Sequence, residues 1–285
     1  MRKKYIILAL ISTLAIGLAA YNVVGKDMIA NTGSGKSFSI FTSSKEKLAK
    51  DKSEEIISLI NQLEKTSSSD IKAKKLSSDS TFKKDTNIHG QKKLIVSDEK
   101  LEVELDEAGE LVKYTNNEMV EFIKSSSEND MKEEPNLDAL RKRAKDILKC
   151  LNISFYDEEN FASGIGDKYI DFTFPRSYEG YAFDGDFAKV IFDKATGEIA
   201  CISKQFYSKE PKSVSVELSE DDAKESAITL SGKETIKSVK LRIVKKNTNS
   251  SSSSTRLAYI VTFENDNAVW IDAKDGSRLA GVQTK

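Results

Sequence analysis

A chain of 285 residues exceeds one average domain, and 39% hydrophobic with 31% charged residues gives packed cores under a heavily solvated surface, which excludes global disorder. Its 44 Lys and Arg against 45 Asp and Glu leave a net charge of −1, so no basic field draws it onto nucleic acid. A single histidine, His89, excludes a His-rich metal site, and the two cysteines, Cys150 and Cys201, allow at most one disulfide.

Arg2, Lys3 and Lys4 precede an uncharged and almost wholly apolar stretch from Tyr5 to Gly25. That pattern describes a signal peptide, with Gly17-Leu18-Ala19 or Leu18-Ala19-Ala20 offering small residues to a peptidase. Tyr5 to Val24 also supplies the about 20 apolar residues that a spanning helix needs, and cations at its start hold that end in the cytoplasm. Residues 1–25 are therefore expected to be a signal-anchor or signal peptide. The body then lies outside the cytoplasm, held at the cell membrane through Tyr5–Val24, or secreted if the leader is cleaved.

Residues 26–44 are rich in Gly, Ser and Thr and predict a flexible spacer. Within them, Ala30-Asn31-Thr32-Gly33-Ser34-Gly35-Lys36-Ser37 mimics a phosphate-binding loop. Its leading Gly is replaced by Ala30 and no buried strand precedes it, so no nucleotide is expected.

From Lys45 to Lys65, Leu48, Ile56, Ile57, Ile60 and Leu63 fall at helical spacing. Further on, Leu101, Val103 and Leu105 alternate with Glu102, Glu104 and Asp106, a strand with one buried face. Asp106-Glu107-Ala108-Gly109 turns the chain back along Leu111 to Tyr114 as a hairpin. A second helix is expected from Leu137 to about Leu151, started by Pro135-Asn136, with a stripe of Leu137, Leu140, Ala144, Ile147, Leu148 and Leu151. Strands follow at Tyr169–Phe174, Gly180–Phe183, Phe187–Asp193 and Glu198–Ser203, separated by Asp-Gly-Asp and Lys-Ala-Thr-Gly turns. The order then repeats: Ser219 with Asp222 starts a helix that continues through Ala223, Ala227 and Leu230 to Ser231-Gly232. Val239–Lys245, Leu257–Phe263, Ala268–Ile271 and Arg278–Val282 read as its strands.

The segments LEVELDEAGEL, KVIFDKATGEI and AVWIDAKDGSRL each place an Asp (Asp106, Asp193, Asp272) after an apolar strand and a Gly shortly beyond it. Recurrence at the length of a small helix-and-sheet unit predicts a repeat architecture. The expected fold class is α+β: repeated small units of a helix packed on an antiparallel sheet, after an N-terminal apolar helix. The units are 45–115, a degenerate first copy; 116–210, the second; and 211–285, a C-terminal domain.

A helix, strands and a closing apolar-x-apolar-Asp-x-x-x-Gly-x-apolar segment resemble PepSY domains and the related repeats of YpeB-type spore germination proteins. The match is best over Leu218–Gly281, notably LAYIVTFENDNAVWIDAKDGSRLAG, weaker over Tyr169–Ser203, and a remnant over Gln91–Tyr114. The resemblance implies an exported or anchored, non-catalytic protein that restrains or stabilises peptidases or cell-wall lytic enzymes.

Candidate chemistry reads blandly beside this. Cys150 or Cys201 with His89 would make a thiolate nucleophile, but both cysteines sit in expected core elements, where burial raises a thiol pKa, and His89 sits in a polar loop. Asp184-Gly185-Asp186 and Glu264-Asn265-Asp266-Asn267 offer oxygens to Ca²⁺, yet neither has EF-hand spacing and turn chemistry accounts for both. Tyr259 and Trp270 read as sheet packing, and Lys245-Lys246 as a solvated loop. No catalytic, cofactor-binding or metal residue is assigned, and no cofactor is expected. The function expected is a membrane-tethered binding or regulatory module for a peptidase or lytic enzyme of the envelope, not an enzyme itself. Its contacts would be edge strands such as Val239–Lys246 or the strand ending at Val282. The alternatives are an envelope hydrolase with an unrecognised carboxylate site and a structural spacer.

Overall fold

The structure is a computed structural model and describes residues 38–65, 72–125, 135–157, 163–232, 235–245 and 254–282. The fold is α+β. Twelve strands form one mostly antiparallel sheet, accompanied by four helices among the described residues.

The strands are β1 Thr81–Thr86, β2 Lys92–Ser97, β3 Leu101–Asp106, β4 Leu111–Asn116, β5 Ser163–Ile165, β6 Tyr169–Tyr178, β7 Tyr181–Asp193 and β8 Ile199–Gln205. After them come β9 Ile236–Lys245, β10 Thr255–Phe263, β11 Ala268–Asp272 and β12 Arg278–Val282. The sheet runs β1-β2-β3-β4-β8-β7-β9-β10-β11-β12, with β6 on β7 and β5 on β6. The helices are α1 Phe38–Lys65, α2 Asn117–Ser125, α3 Leu137–Cys150 and α4 Glu220–Ser231.

Alternation along each strand gives the first part of the sheet two unlike faces. Cross-strand register lines up Phe82, Val96, Val103, Tyr114, Ile202, Val190 and Phe172 in one row. This row packs with Ala49, Ile57 and Ile60 of α1 and Ala144, Ile147 and Leu148 of α3 in a first hydrophobic core. The adjacent row, Lys83, Ile95, Glu104, Lys113, Ser203, Lys189 and Thr173, is polar but for Ile95 and faces the other way. The same alternation in β10 buries Leu257, Tyr259, Val261 and Phe263 in a second core, under Ala223 and Ala227 of α4.

α3 begins as its sequence predicts, with the Asn136 side chain accepting the Ala139 N–H. α4 is capped by Ser219, which accepts the Asp222 N–H, and ends at Gly232 in the left-handed conformation, φ +81°. α1 starts at Phe38, inside the stretch read as spacer, because beyond Gly35 no Gly or Pro interrupts the chain until after Lys65. The apolar span at Tyr5–Val24 lies outside the described residues. Among those that are described, no helix is long and apolar enough to cross a membrane.

Asp106, Asp193 and Asp272 open three turns of one hydrogen-bond pattern, the first a residue shorter than the other two. In each, the Gly N–H (Gly109, Gly197, Gly276) donates to the Asp carbonyl, and the Asp N–H donates to the carbonyl of the residue after the Gly. In each, Asp Oδ1 accepts an N–H inside the turn, from Ala108, Thr196 or Lys274. The strand register slips just before all three Asp residues. The glycines sit at φ +82°, +71° and +72°, where a side chain is strained. A Cβ on them would stand 3.7 Å from Lys52 of α1, 3.9 Å from Leu140 of α3 and 3.6 Å from Leu218 just before α4. Every turn therefore lies against a helix or a helix entry.

Asp184-Gly185-Asp186 is not the turn its residues suggest. β7 runs unbroken through it, and the chain reverses at Glu179-Gly180 instead, with φ +47° and +82°, the signs a tight hairpin turn demands.

Candidate interaction surface

β7 serves two parts of the sheet. Phe187 to Phe192 pair with β8, whereas Ala182 and Phe183 pair in parallel with Arg242 and Ile243 of β9. Between them Asp184 and Gly185 pair with neither, and Gly185 takes φ +91°. Phe183 is 2% exposed in the second core, with Tyr178 and Tyr181 packed against it. The tip of the β6–β7 hairpin thus completes the core of the last four strands.

Arg176, on β6, fastens this crossing. Its Nη1 donates to the Ser208 carbonyl at 2.8 Å and lies 3.5 Å from Asp186, while Nη2 donates to Glu210 at 2.6 Å. Its guanidinium stands 4.6 Å from the ring centre of Phe183 and 5.0 Å from that of Phe206, so its planar charge is shared between two aromatic faces. Asp186, 2% exposed, also accepts the Ser208 N–H and Oγ–H and the Tyr207 N–H. The segment leaving β8 is therefore pinned to the hairpin, and Thr255 of β10 donates to the Lys209 carbonyl from the far side.

On the β9 side, the Asp184 carboxyl is pushed above its ordinary range by the protein atoms around it, against the opposing pull of Arg242 and Lys240. Its side chain still reaches the surface. Arg242 lies 5.5 Å from the ring centre of Tyr156. β9 pairs with β10 from end to end, but with β7 only at Arg242 and Ile243.

The polar face of the first strands is a ladder of ion pairs. Glu104 accepts from Lys93, Glu102 from Lys113 at 3.1 Å, and Asp171 lies 3.3 Å from Lys189. Burial opposes the Lys113 charge, but Glu102 and Glu104 outweigh it and hold the lysine strongly protonated. Cys201 sits among them, and burial pushes its thiol up despite Lys113 nearby.

A second polar group lies in the first core. Glu64 of α1, fully buried, accepts the Ile199 N–H at 3.0 Å and is paired with Lys74, which reaches Glu198 at 3.5 Å. Arg143 of α3 donates to the Gly197 carbonyl at 2.6 Å, and burial lowers its pKa against the charges of Glu64 and Glu198. Sequence patterning gave no sign of this centre, because its members come from four distant segments.

The remaining candidates are scattered. His89 is exposed in a turn and stacks on Tyr207, ring centres 4.0 Å apart. Cys150 and Cys201 are both free, Cys150 exposed at the end of α3 rather than in the core and Cys201 half-buried on β8. Asp266 pairs with Lys237, and no cluster of His, Cys, Asp and Glu suited to a metal occurs among the described residues. Tyr259 packs in the second core and donates its hydroxyl to the Leu218 carbonyl at 2.9 Å. The segment Ala30–Ser37 and Lys246 lie outside the described residues.

No family profile and no curated protein matches the chain. Among solved structures, the chain is similar to the Bacillus megaterium YpeB C-terminal domain, with 16% identity and a TM-score of 0.44, covering 80% of this chain and 97% of that one.

Proposed function

We propose that this chain is a membrane-tethered extracytoplasmic binding protein, without catalytic activity of its own, that restrains or stabilises an envelope peptidase or a cell-wall lytic enzyme, as in spore germination. The observation that carries this reading is the threefold recurrence of one turn, each against a helix or helix entry. It supports a PepSY-like unit of helix on antiparallel sheet, used at 45–115, 116–210 and 211–285, and such a repeat supplies surface rather than a cleft. The cations before Tyr5–Val24 support the tether, and the lysine-bound carboxylates of the polar face support a non-catalytic body. Tethering confines the partner near the membrane and raises its effective concentration without strong intrinsic affinity.

Crosslinking of the full chain at native levels in intact cells tests the proposal. Recovery of a peptidase or lytic enzyme, with that enzyme's abundance or activity changed when the chain is removed, is the expected result. Recovery of no such enzyme, together with hydrolysis of peptide or wall substrate by the purified chain, overturns it in favour of a hydrolase.

A further inference from the structure

We infer that the outer edge of β12, with the groove between it and α4, seats an extended segment of the partner that carries a basic residue between apolar ones and joins the sheet as an added strand. The inference rests on the binding function proposed above and gives it a place on the molecule.

β12 pairs with β11 and stands at the end of the sheet, so among the described residues no strand takes its outer side. Alternate backbone N–H and C=O groups on that side have no ladder partner, and an extended segment can supply one. Register fixes which way the strand faces. Arg278 lies opposite Ile271 and Gly281 opposite Val269, and Ile271 and Val269 are buried with Ala223 and Ala227 of α4 in the second core. Every second side chain of a strand added to β12 therefore points to the α4 side of the sheet.

On that side lies an open groove of about 630 Å³. Asp222, Glu225, Thr229 and Leu230 line it from α4, Arg278 lines it from β12, and Leu218 stands against Gly276. Its apolar ground is divided. Leu218 precedes the helix and Leu230, 46% exposed, stands in its last turn, so the two are roughly 15–20 Å apart, the reach of about five or six extended residues. Apolar residues four apart on an incoming strand cover both. The other edges differ: β1 exposes Lys83, Lys84, Asp85 and Thr86, the pattern of an edge guarded against association, and β5 is only three residues long.

Charge selects what lies between the apolar residues. α4 carries Glu220, Asp221, Asp222 and Glu225 against one cation, Lys224, which pairs with Glu220 and Asp221. Asp222 and Glu225 are the two that line the groove, and both are exposed. Asp222 accepts the Ser219 hydroxyl at 2.6 Å, a neutral partner that leaves its charge in place. Arg278 is the one cation among the lining residues, so the groove keeps a net negative charge. A lysine or arginine on the incoming strand fits it.

The test uses the full chain in detergent micelles and a labelled peptide, Thr-Leu-Thr-Lys-Thr-Leu-Thr, which puts Leu, Lys and Leu on one face. Its controls are the same peptide with Glu for Lys and two N-methylated forms, one blocked at the Leu and Lys amides and one at the Thr amides. Saturable binding of the Lys peptide is expected, with a roughly tenfold weakening for the Glu peptide and in Glu225→Lys. Only one set of amides can face β12, so one N-methylated form should lose binding and the other keep it. Thr229→Trp fills the groove from an exposed position and should abolish binding at an unchanged melting temperature. No saturable binding to the wild type, equal binding of all the peptides, or unchanged affinity in both variants overturns the inference. Self-association of the wild-type chain that Thr229→Trp abolishes gives the groove to a second copy and overturns it as well. If Thr229→Trp still crosslinks to the envelope enzyme in cells, this groove is excluded while the binding function stands; if the wild-type chain captures none, both fall.

Discussion

Replacing Arg176 with methionine keeps the length of the side chain and removes its charge, its donors and its planar stack. The residue is 13% exposed at its side chain and Asp186 only 2%, so the pair is largely shielded from water. Asp186 keeps its bonds from Ser208 and Tyr207, which offsets part of the loss, while the Ser208 carbonyl and the two aromatic faces lose their partner. Breaking one side of a buried pair costs about 3–5 kcal/mol, and the surviving bonds to Asp186 place the expected loss near 3 kcal/mol. In a body of this size that lowers the melting temperature by roughly 6–12 °C. The loss falls where the two cores meet, so the single melting transition should split, with the β9–β12 part melting first. Calorimetry of the full chain, Arg176→Met, Asp186→Asn and the double variant reads both effects, and the cycle gives a coupling of about 1 kcal/mol or more. One unsplit transition within about 1 °C of wild type, with no coupling, would refute the clamp.

Other outcomes follow from the same contacts. Glu64→Gln leaves Lys74 buried without its carboxylate and should cost about 2–3 kcal/mol in denaturant unfolding, with part recovered by adding Lys74→Met; an additive double variant counts against the pair. Gly197→Val and Gly276→Val put β-branched side chains at φ +71° and +72°, and each should destabilise by about 1 kcal/mol or more, measured by thermal melting. Thiol titration of the folded chain near pH 8 should modify exposed Cys150 quickly and Cys201 only after unfolding, since burial keeps the Cys201 thiol protonated; equal rates would contradict its setting.

Local patterns carried well what depends on local chemistry. α3 was legible because Asn136 caps it and its stripe repeats at 3.6 residues, and the Asp-to-Gly turns because their bonds close within a few residues. β1 was not, since TFKKDT offers a single apolar side chain and draws its order from pairing with β2. Asp184-Gly185-Asp186 misled because its turn-forming carboxylate at Asp186 is taken by Ser208, far along the chain, leaving β7 free to continue. The strand Val239–Lys246 was expected as an edge, and β9 is one only in part, because the β6–β7 hairpin covers Arg242 and Ile243. Arg176 gave no signal: a lone arginine after Pro175 shows nothing of Phe183, Phe206 and Ser208 converging on it. Nor does Phe183 reveal in sequence that it belongs to a core made largely of later strands.

The borrowed strand has a consequence in time. A chain made from its N-terminus presents Tyr178, Tyr181 and Phe183 well before Ile236, Leu257 and the rest of the second core exist. Until β9 arrives the hairpin tip is a sticky, half-finished surface, held in position by Arg176 and Asp186 but without the later strands that complete its core. A chain cut short before β9 therefore keeps its first core and exposes these aromatic residues, an invitation to aggregation and to proteases.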